Sequence, residues 1–130
     1  MATNFQSVSD LKRVRGLGSA RAGAHHWWLQ RVTAAGNLLL LGWFFVSLLL
    51  LPDRSYSSVT AWIGNPLVAA PLLALIVTTF WHARLGVQVM LEDYVAGAGM
   101  KLLSLILLNF FIVGAGALAF FSVLAIAFGA

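Results

Sequence analysis

The sequence predicts an all-α integral membrane protein with three transmembrane helices. Hydrophobic residues make up 61% of the 130-residue chain and charged residues only 9%. The mean hydropathy of +0.91 is far above that of a soluble domain. Three apolar runs, at residues 32–51, 67–91 and 102–128, each reach the roughly 20 residues that a helix needs to cross a bilayer. Because the runs are continuous rather than alternating in polarity, they favour helices over the strands of a membrane barrel.

The order of these runs predicts a single membrane-anchor domain over residues 1–130. Residues 1–23 are polar and basic, which is typical of an arm at the cytoplasmic surface of the membrane. Transmembrane helices are expected at about 24–51, 66–92 and 101–128, with Pro52 ending the first and Pro66 opening the second. The segment between these prolines is predicted to be a loop. Small residues at 114–119 favour close packing of the third helix.

The basic residues precede the first span, and this predicts the orientation. The first 31 residues carry the whole net charge of +4. The positive-inside rule therefore places the N-terminus in the cytoplasm and, after three crossings, the C-terminus outside, which is the periplasm in the case of a bacterial inner membrane. The first apolar run is too long and too far from the N-terminus for a cleaved signal peptide. A basic arm beside a span faces lipid headgroups, so no nucleic acid partner is expected.

The residue types exclude several kinds of site. The chain has no cysteine, so disulfides, thiolate-bound iron–sulfur clusters and covalently attached haem are ruled out, and histidine is left as the strongest metal ligand. The sequence also has no phosphate-binding glycine loop and no nucleophile beside a base. These observations point away from a catalytic centre within this chain.

His82 lies deep in the second apolar run. At about 1.5 Å per residue it is roughly 14 Å from Leu91 at the cytoplasmic boundary, close to the bilayer midplane. Two interpretations stay open, a hydrogen bond to a neighbouring helix or ligation of haem iron. A haem with two axial histidines needs a second imidazole at the same depth. Since His25 and His26 precede the first span, another polypeptide would have to supply it.

Two arginines and a polar helix end accompany His82. Arg84 lies in the hydrocarbon zone at a cost of about 2.5–3.5 kcal/mol, and it predicts an anionic partner such as a haem propionate or a carboxylate, with snorkelling as the alternative. Arg31, at the start of the first span, either snorkels or serves as a cation near a propionate or quinone. Asp93 and Tyr94 are either ordinary interfacial residues or a quinone site, in which the tyrosine hydroxyl donates to a carbonyl oxygen.

Two stretches together resemble the hydrophobic membrane-anchor (D) subunit of succinate dehydrogenase, respiratory complex II, of α-proteobacterial or mitochondrial type. They are HHWWLQRVTA, which enters the first span, and the pattern His82-x10-Asp93-Tyr94, which leaves the second. The resemblance extends over all three spans. It implies a helical bundle formed with a second anchor subunit.

The resemblance implies a haem and quinone site. It assigns His82 as an axial ligand of haem b, with the other ligand from the cytochrome b556 (C) subunit. It places Arg31 near the haem propionates and assigns Tyr94 and Asp93 to ubiquinone binding. His25 matches a histidine of the segment that enters the first span.

The resemblance also implies partners, namely an FAD-containing flavoprotein (A) subunit and an iron–sulfur (B) subunit held at the cytoplasmic face, with electrons passing from succinate to ubiquinone. This chain alone is expected to catalyse nothing. Arg84 departs from the family pattern, in which that position is not basic. Two other functions stay open. One is a haem-free anchor of a quinol:fumarate reductase type, in which His82 only forms a hydrogen bond. The other is a small transporter accessory protein, in which His82, Arg84 and Glu92 line an ion path.

Overall fold

The computed structural model describes residues 20–129, with side chains from residue 23 onward. These residues form four helices: α1 (Ala20–Leu49), α2 (Tyr56–Gly64), α3 (Pro66–Tyr94) and α4 (Ala98–Ala127). Helices α1, α3 and α4 are each long and apolar enough to cross a membrane, which confirms the three predicted spans. The arm predicted at residues 1–23 lies mostly outside the described residues.

The part of α1 that could cross a membrane is Gly23–Leu49, so its start agrees with the predicted residue 24 to within one residue, and its end lies before the predicted residue 51. Helix α1 itself begins at Ala20. The early end follows from Pro52, because a proline disfavours helical backbone in the residue before it. The hydrogen bonds from the nitrogens of Leu50 and Leu51 to carbonyls of the last turn close the helix.

The turn between the second and third spans is shorter than predicted. Helix α3 begins at Pro66 as predicted, where the Asn65 side chain caps it by accepting a hydrogen bond from the nitrogen of Leu67 at 2.9 Å. It continues to Tyr94 rather than residue 92, and α4 begins at residue 98 rather than 101. The intervening turn is short, and Gly97 in it has a φ of +90°, which residues with a side chain rarely adopt.

Helix α2 lies where the sequence analysis predicted a loop, so that prediction was wrong. Ser55 caps α2 by accepting a hydrogen bond from the nitrogen of Ser58 at 3.3 Å, and it donates its own hydroxyl and amide to Asp53 at 2.5 and 2.8 Å. These bonds, the Ser55 hydroxyl above all, lower the pKa of the exposed Asp53 carboxyl. Trp62 packs against Phe44 of α1, with ring centroids 6.0 Å apart. A helix this short is marginal alone, so the cap, this packing and its contacts with α3 and α4 hold it.

Helix α3 is the centre of the bundle. It contacts both α1 and α4, whereas within the described residues no Cα atom of α1 lies within 8 Å of a Cα atom of α4. The buried apolar side chains among the described residues belong to α3: Ala69, Leu72, Leu75 and Leu85. At Gly116 of α4 an added Cβ would lie 3.4 Å from the Phe80 ring. This close approach confirms the predicted packing role of a small residue at that position.

The outer faces of α1 and α4 expose large apolar side chains. Leu38 and Leu39 on α1 and Phe110 on α4 are each about three-quarters exposed, at 74%, 75% and 75%. On helices long enough to span a membrane, such faces meet lipid tails or the helices of another subunit. The three spans therefore form an open layer around α3 rather than a closed bundle.

Candidate functional site

His82 lies near the middle of α3, as the sequence predicted. At about 1.5 Å per residue it is roughly 18 Å from Tyr94 and roughly 24 Å from Pro66 along the helix axis. Its ring is half-buried, and its Nδ1 atom is 2.9 Å from Oγ1 of Thr33 on α1. The hydrogen bond to a neighbouring helix that the sequence analysis considered is therefore present.

The contact with Thr33 leaves the second ring nitrogen of His82 available. Nε2 has no hydrogen bond to the described residues. Nor is Nε2 of His82 buried by them. Among the described residues, the buried side-chain nitrogen that lacks a hydrogen-bond partner is Nε2 of His26. Metal-ligating histidines have this arrangement, with one nitrogen held by a hydrogen bond and the other free to coordinate. The donor set thus fits an axial ligand to an iron that is reached from outside this chain.

A second polar contact lies beside the first between α1 and α3. The Thr79 hydroxyl donates to Oδ1 of Asn37 at 3.4 Å, and Asn37 is only 9% exposed. Asn37 follows Thr33 by one turn of α1, and Thr79 precedes His82 by about one turn of α3, so the two contacts follow each other along the interface. The sequence analysis missed Thr33 and Asn37. Their signal is a pair of polar residues one turn apart in an otherwise apolar run.

Arg84 faces α4 rather than α1. Its Nε donates to Oδ1 of Asn109 at 2.6 Å, and its guanidinium carbon is 5.5 Å from the ring centroid of Trp81. The partners of Arg84 in this chain are therefore a neutral amide and an aromatic ring, and the predicted propionate or carboxylate partner stays a prediction. Two residues correspond to roughly 200° around a helix, so His82 and Arg84 serve opposite neighbours.

The start of α1 and the end of α3 meet at one side of the layer. A groove of about 420 Å³ between them is lined by Gly23, His26, Trp27, Gln30, Gln88, Val89 and Glu92. The Nε2 atom of His26 is buried there without a hydrogen-bond partner among the described residues. The Gln88 amide donates to Oε1 of Glu92 at 2.8 Å. The two segments that carry the family resemblance are thus neighbours in space.

The other predicted site residues lie at this same end, on the surface. The guanidinium carbon of Arg31 is 5.4 Å from the ring centroid of Trp27. Arg31, His25 and Asp93 are exposed, and Tyr94 is 85% exposed. Within the part of the chain that the structure describes, no hydrogen bond joins these side chains to one another. These four side chains are therefore open on the surface of the isolated chain.

Comparison with known proteins places these observations in a family. The family model for succinate dehydrogenase/fumarate reductase transmembrane subunits matches residues 7–125. A succinate dehydrogenase hydrophobic membrane anchor subunit of Rickettsia bellii is 33% identical over 88 residues, which cover 68% of this chain and 70% of the relative. The subunit of the same name from Rickettsia conorii is 30% identical over 93 residues, covering 71% and 74%. That of Paracoccus denitrificans is 27% identical over 94 residues, covering 72% and 73%.

No solved structure gives a significant match. The family match extends over all four helices, and three of these have the length and composition of membrane spans. The chain is therefore a multi-pass membrane protein. It belongs to the family of succinate dehydrogenase/fumarate reductase transmembrane subunits, with α-proteobacterial membrane anchor subunits of succinate dehydrogenase among its relatives.

Proposed function

We propose that this chain is the hydrophobic anchor subunit of a succinate:ubiquinone oxidoreductase, in which it supplies one axial ligand to haem b and part of the ubiquinone site. The observation that carries the proposal is His82, a mid-span imidazole whose Nδ1 contacts Thr33 while Nε2 remains open. The names of the relatives favour the succinate dehydrogenase side of the family. The family match gives no support to a transporter accessory role.

The haem would be shared with the cytochrome b556 (C) subunit. Nε2 of His82 would hold the iron from this chain, and the C subunit would supply the second imidazole. Arg31 would be the cation for a propionate, at the end of α1 nearer the cytoplasm. When bound, haem b supplies one-electron redox chemistry.

The ubiquinone site would include Tyr94 and Asp93, at the cytoplasmic end of α3. Their exposure in the isolated chain suits a pocket that the iron–sulfur (B) and C subunits complete. The Tyr94 hydroxyl donates a hydrogen bond to a quinone carbonyl, and the carboxylate of Asp93 orients a neighbouring cation. The quinone tail remains in the lipid.

The anchoring role sets the orientation in a bacterial inner membrane. The basic N-terminal segment lies at the cytoplasmic face, where the flavoprotein (A) subunit with FAD and the B subunit with its iron–sulfur clusters dock. The C-terminus lies in the periplasm. Succinate is oxidised in the partner subunits, so this chain is a non-catalytic component of the enzyme.

Purification of the complex through a tag on this chain tests the assembly. The expected result is three companion chains with flavin and iron–sulfur absorbance, together with haem b measured as its pyridine haemochrome. His82→Ala should abolish haem binding, and imidazole in the buffer should restore it by occupying the vacated position. Full haem content in His82→Ala without imidazole would contradict the ligand assignment.

Tyr94→Phe tests the quinone role, because it removes only the hydroxyl. It should slow succinate-dependent reduction of ubiquinone about two- to tenfold, the cost of one lost hydrogen bond, and leave reduction of a soluble dye by the same preparation intact. Tyr56→Phe is the matched control, since Tyr56 is 86% exposed on α2, at the opposite end of the spans. Equal loss of both activities in Tyr94→Phe would contradict a specific role in quinone reduction.

A second candidate function is a haem-free anchor of a quinol:fumarate reductase type. The bond between His82 and Thr33 favours it, because such an anchor needs no more of His82 than that contact. Absence of haem absorbance from a wild-type complex with intact flavin and iron–sulfur subunits would select this candidate.

A further inference from the structure

Thr33 is the residue of α1 that contacts the predicted haem ligand. Its Oγ1 lies 2.8 Å from the carbonyl oxygen of Leu29, 3.2 Å from that of Gln30 and 2.9 Å from Nδ1 of His82. A threonine hydroxyl has one proton to donate and two lone pairs to accept with. Three neighbours therefore compete for one proton, and their chemistry decides where it goes.

The two carbonyl oxygens can only accept, so the hydroxyl proton of Thr33 points to them. If the proton pointed to His82 instead, the oxygen lone pairs would face two carbonyl oxygens at 2.8 and 3.2 Å, which is repulsive. The bond to His82 therefore runs the other way, with Nδ1–H donating to Oγ1. Nε2 is then the unprotonated nitrogen, the form that a metal ion requires.

The position of the hydroxyl is fixed by its surroundings. Threonine is β-branched, so its χ1 angle has few options within a helix, and the bond to Leu29 holds it further. One turn along α1, the buried Asn37 makes a second and longer polar contact with α3, through the hydroxyl of Thr79 at 3.4 Å. The acceptor for Nδ1–H is thus built into the interface between the two helices.

We infer that Thr33 is a positioning residue for His82, which selects the tautomer with Nε2 unprotonated and holds the ring so that this nitrogen is available to the haem iron. The inference rests on the proposed haem ligation by His82. An acceptor at Nδ1–H places more electron density on Nε2 and so stabilises ferric over ferrous iron. Loss of the acceptor therefore raises the reduction potential and weakens haem retention.

The experiment uses the whole purified complex with Thr33→Val and Thr33→Ala, which remove the hydroxyl, and Thr33→Ser, which keeps it. Thr78→Val is the matched control, because the Thr78 hydroxyl bonds only to carbonyls of its own helix, at 2.9 and 3.2 Å, one turn from His82. The readouts are haem content, the haem midpoint potential from a redox titration, and the electron paramagnetic resonance spectrum of the ferric haem.

In Thr33→Val and Thr33→Ala the potential should rise, by about 59 mV for each tenfold shift of the ferric–ferrous equilibrium, and haem retention should fall by about 10- to 100-fold. Thr33→Ser and Thr78→Val should match the wild type. Complete loss of haem in both hydroxyl-free variants, with normal haem in Thr33→Ser and Thr78→Val, also supports the inference.

Two results separate the failure of this inference from that of the proposed function. A wild-type potential and spectrum in Thr33→Val, in a complex whose haem is lost in His82→Ala, would overturn the role of Thr33 alone. Haem that persists in His82→Ala would overturn the ligand assignment on which the role depends.

Discussion

The bond between Arg84 and Asn109 gives a quantitative prediction for the packing of α3 against α4. Asn109→Leu removes the oxygen that accepts a hydrogen bond from Nε of Arg84 at 2.6 Å. The charged guanidinium then lacks this acceptor inside the membrane span. A hydrogen bond to a charged group contributes about 1.5–3 kcal/mol, whereas neutral bonds between membrane helices average about 0.6 kcal/mol. Because Arg84 is charged and half-buried, we expect a coupling free energy of about 1.5–3 kcal/mol.

A double-mutant cycle with Arg84→Leu, Asn109→Leu and the double variant isolates that coupling. The measurement is the unfolding free energy of the purified complex in detergent, followed by circular dichroism. Ser122→Ala is the control on α4, since the Ser122 hydroxyl bonds only to Leu118 of its own helix, and it should change stability by less than about 0.5 kcal/mol. Additive effects of the two single substitutions would refute the view that Asn109 is the partner that makes Arg84 tolerable in the span.

Three further predictions concern backbone, packing and charge. Gly97→Ala should destabilise the folded protein by about 1–3 kcal/mol because Gly97 has a φ of +90°. Gly99→Ala should not, because Gly99 lies in a helix with open space around it. Equal melting temperatures of the two variants would contradict this prediction. Gly116→Leu should weaken the α3–α4 contact by about 1–3 kcal/mol, and Gly114→Leu, where a Cβ meets nothing within 4 Å, should be tolerated in the same assay. The pKa of Asp53 is lowered, so its hydrogen bonds with Ser55 stabilise the fold at pH values above the unfolded pKa of about 3.9, and this stability is lost as the pH falls through the lower folded pKa. A carbon-13 titration of the Asp53 carboxyl with a midpoint at or above 3.9 would contradict this prediction.

The spans could be predicted from the sequence because membrane insertion depends on local composition. Each apolar run is long enough by itself, so the existence of α1, α3 and α4 required no knowledge of contacts. Helix α2 could not be predicted in the same way. Its stability depends on the Ser55 cap and on Trp62 packing against Phe44, and the second of these is visible only once α1 and α2 are placed together.

In the candidate site, too, features that depend on one segment could be predicted and features that depend on contacts between helices could not. The position of His82 along its span follows from counting residues, and the structure places it near the middle of α3; its depth in the bilayer stays a prediction. Its partner Thr33 depends on the rotation of α1 against α3, which periodicity in one segment does not determine. For Arg84, the cost of a charge in hydrocarbon predicted an anionic partner. Within this chain the structure instead gives it the neutral amide of Asn109 and the ring of Trp81, and the anionic partner stays a prediction. The roles of Arg31, His25, Asp93 and Tyr94 depend on chains beyond this one and stay predictions.

The central position of α3 has a consequence for synthesis of the protein. It is the least hydrophobic of the three spans, and it carries His82 and Arg84. Helix α1 leaves the ribosome first and offers Thr33 and Asn37 to it, while Asn109 arrives only later with α4. During translation Arg84 must therefore enter the bilayer before its acceptor exists. Slowed elongation after α3 should therefore increase degradation of the nascent chain, and Arg84→Leu should reduce that increase.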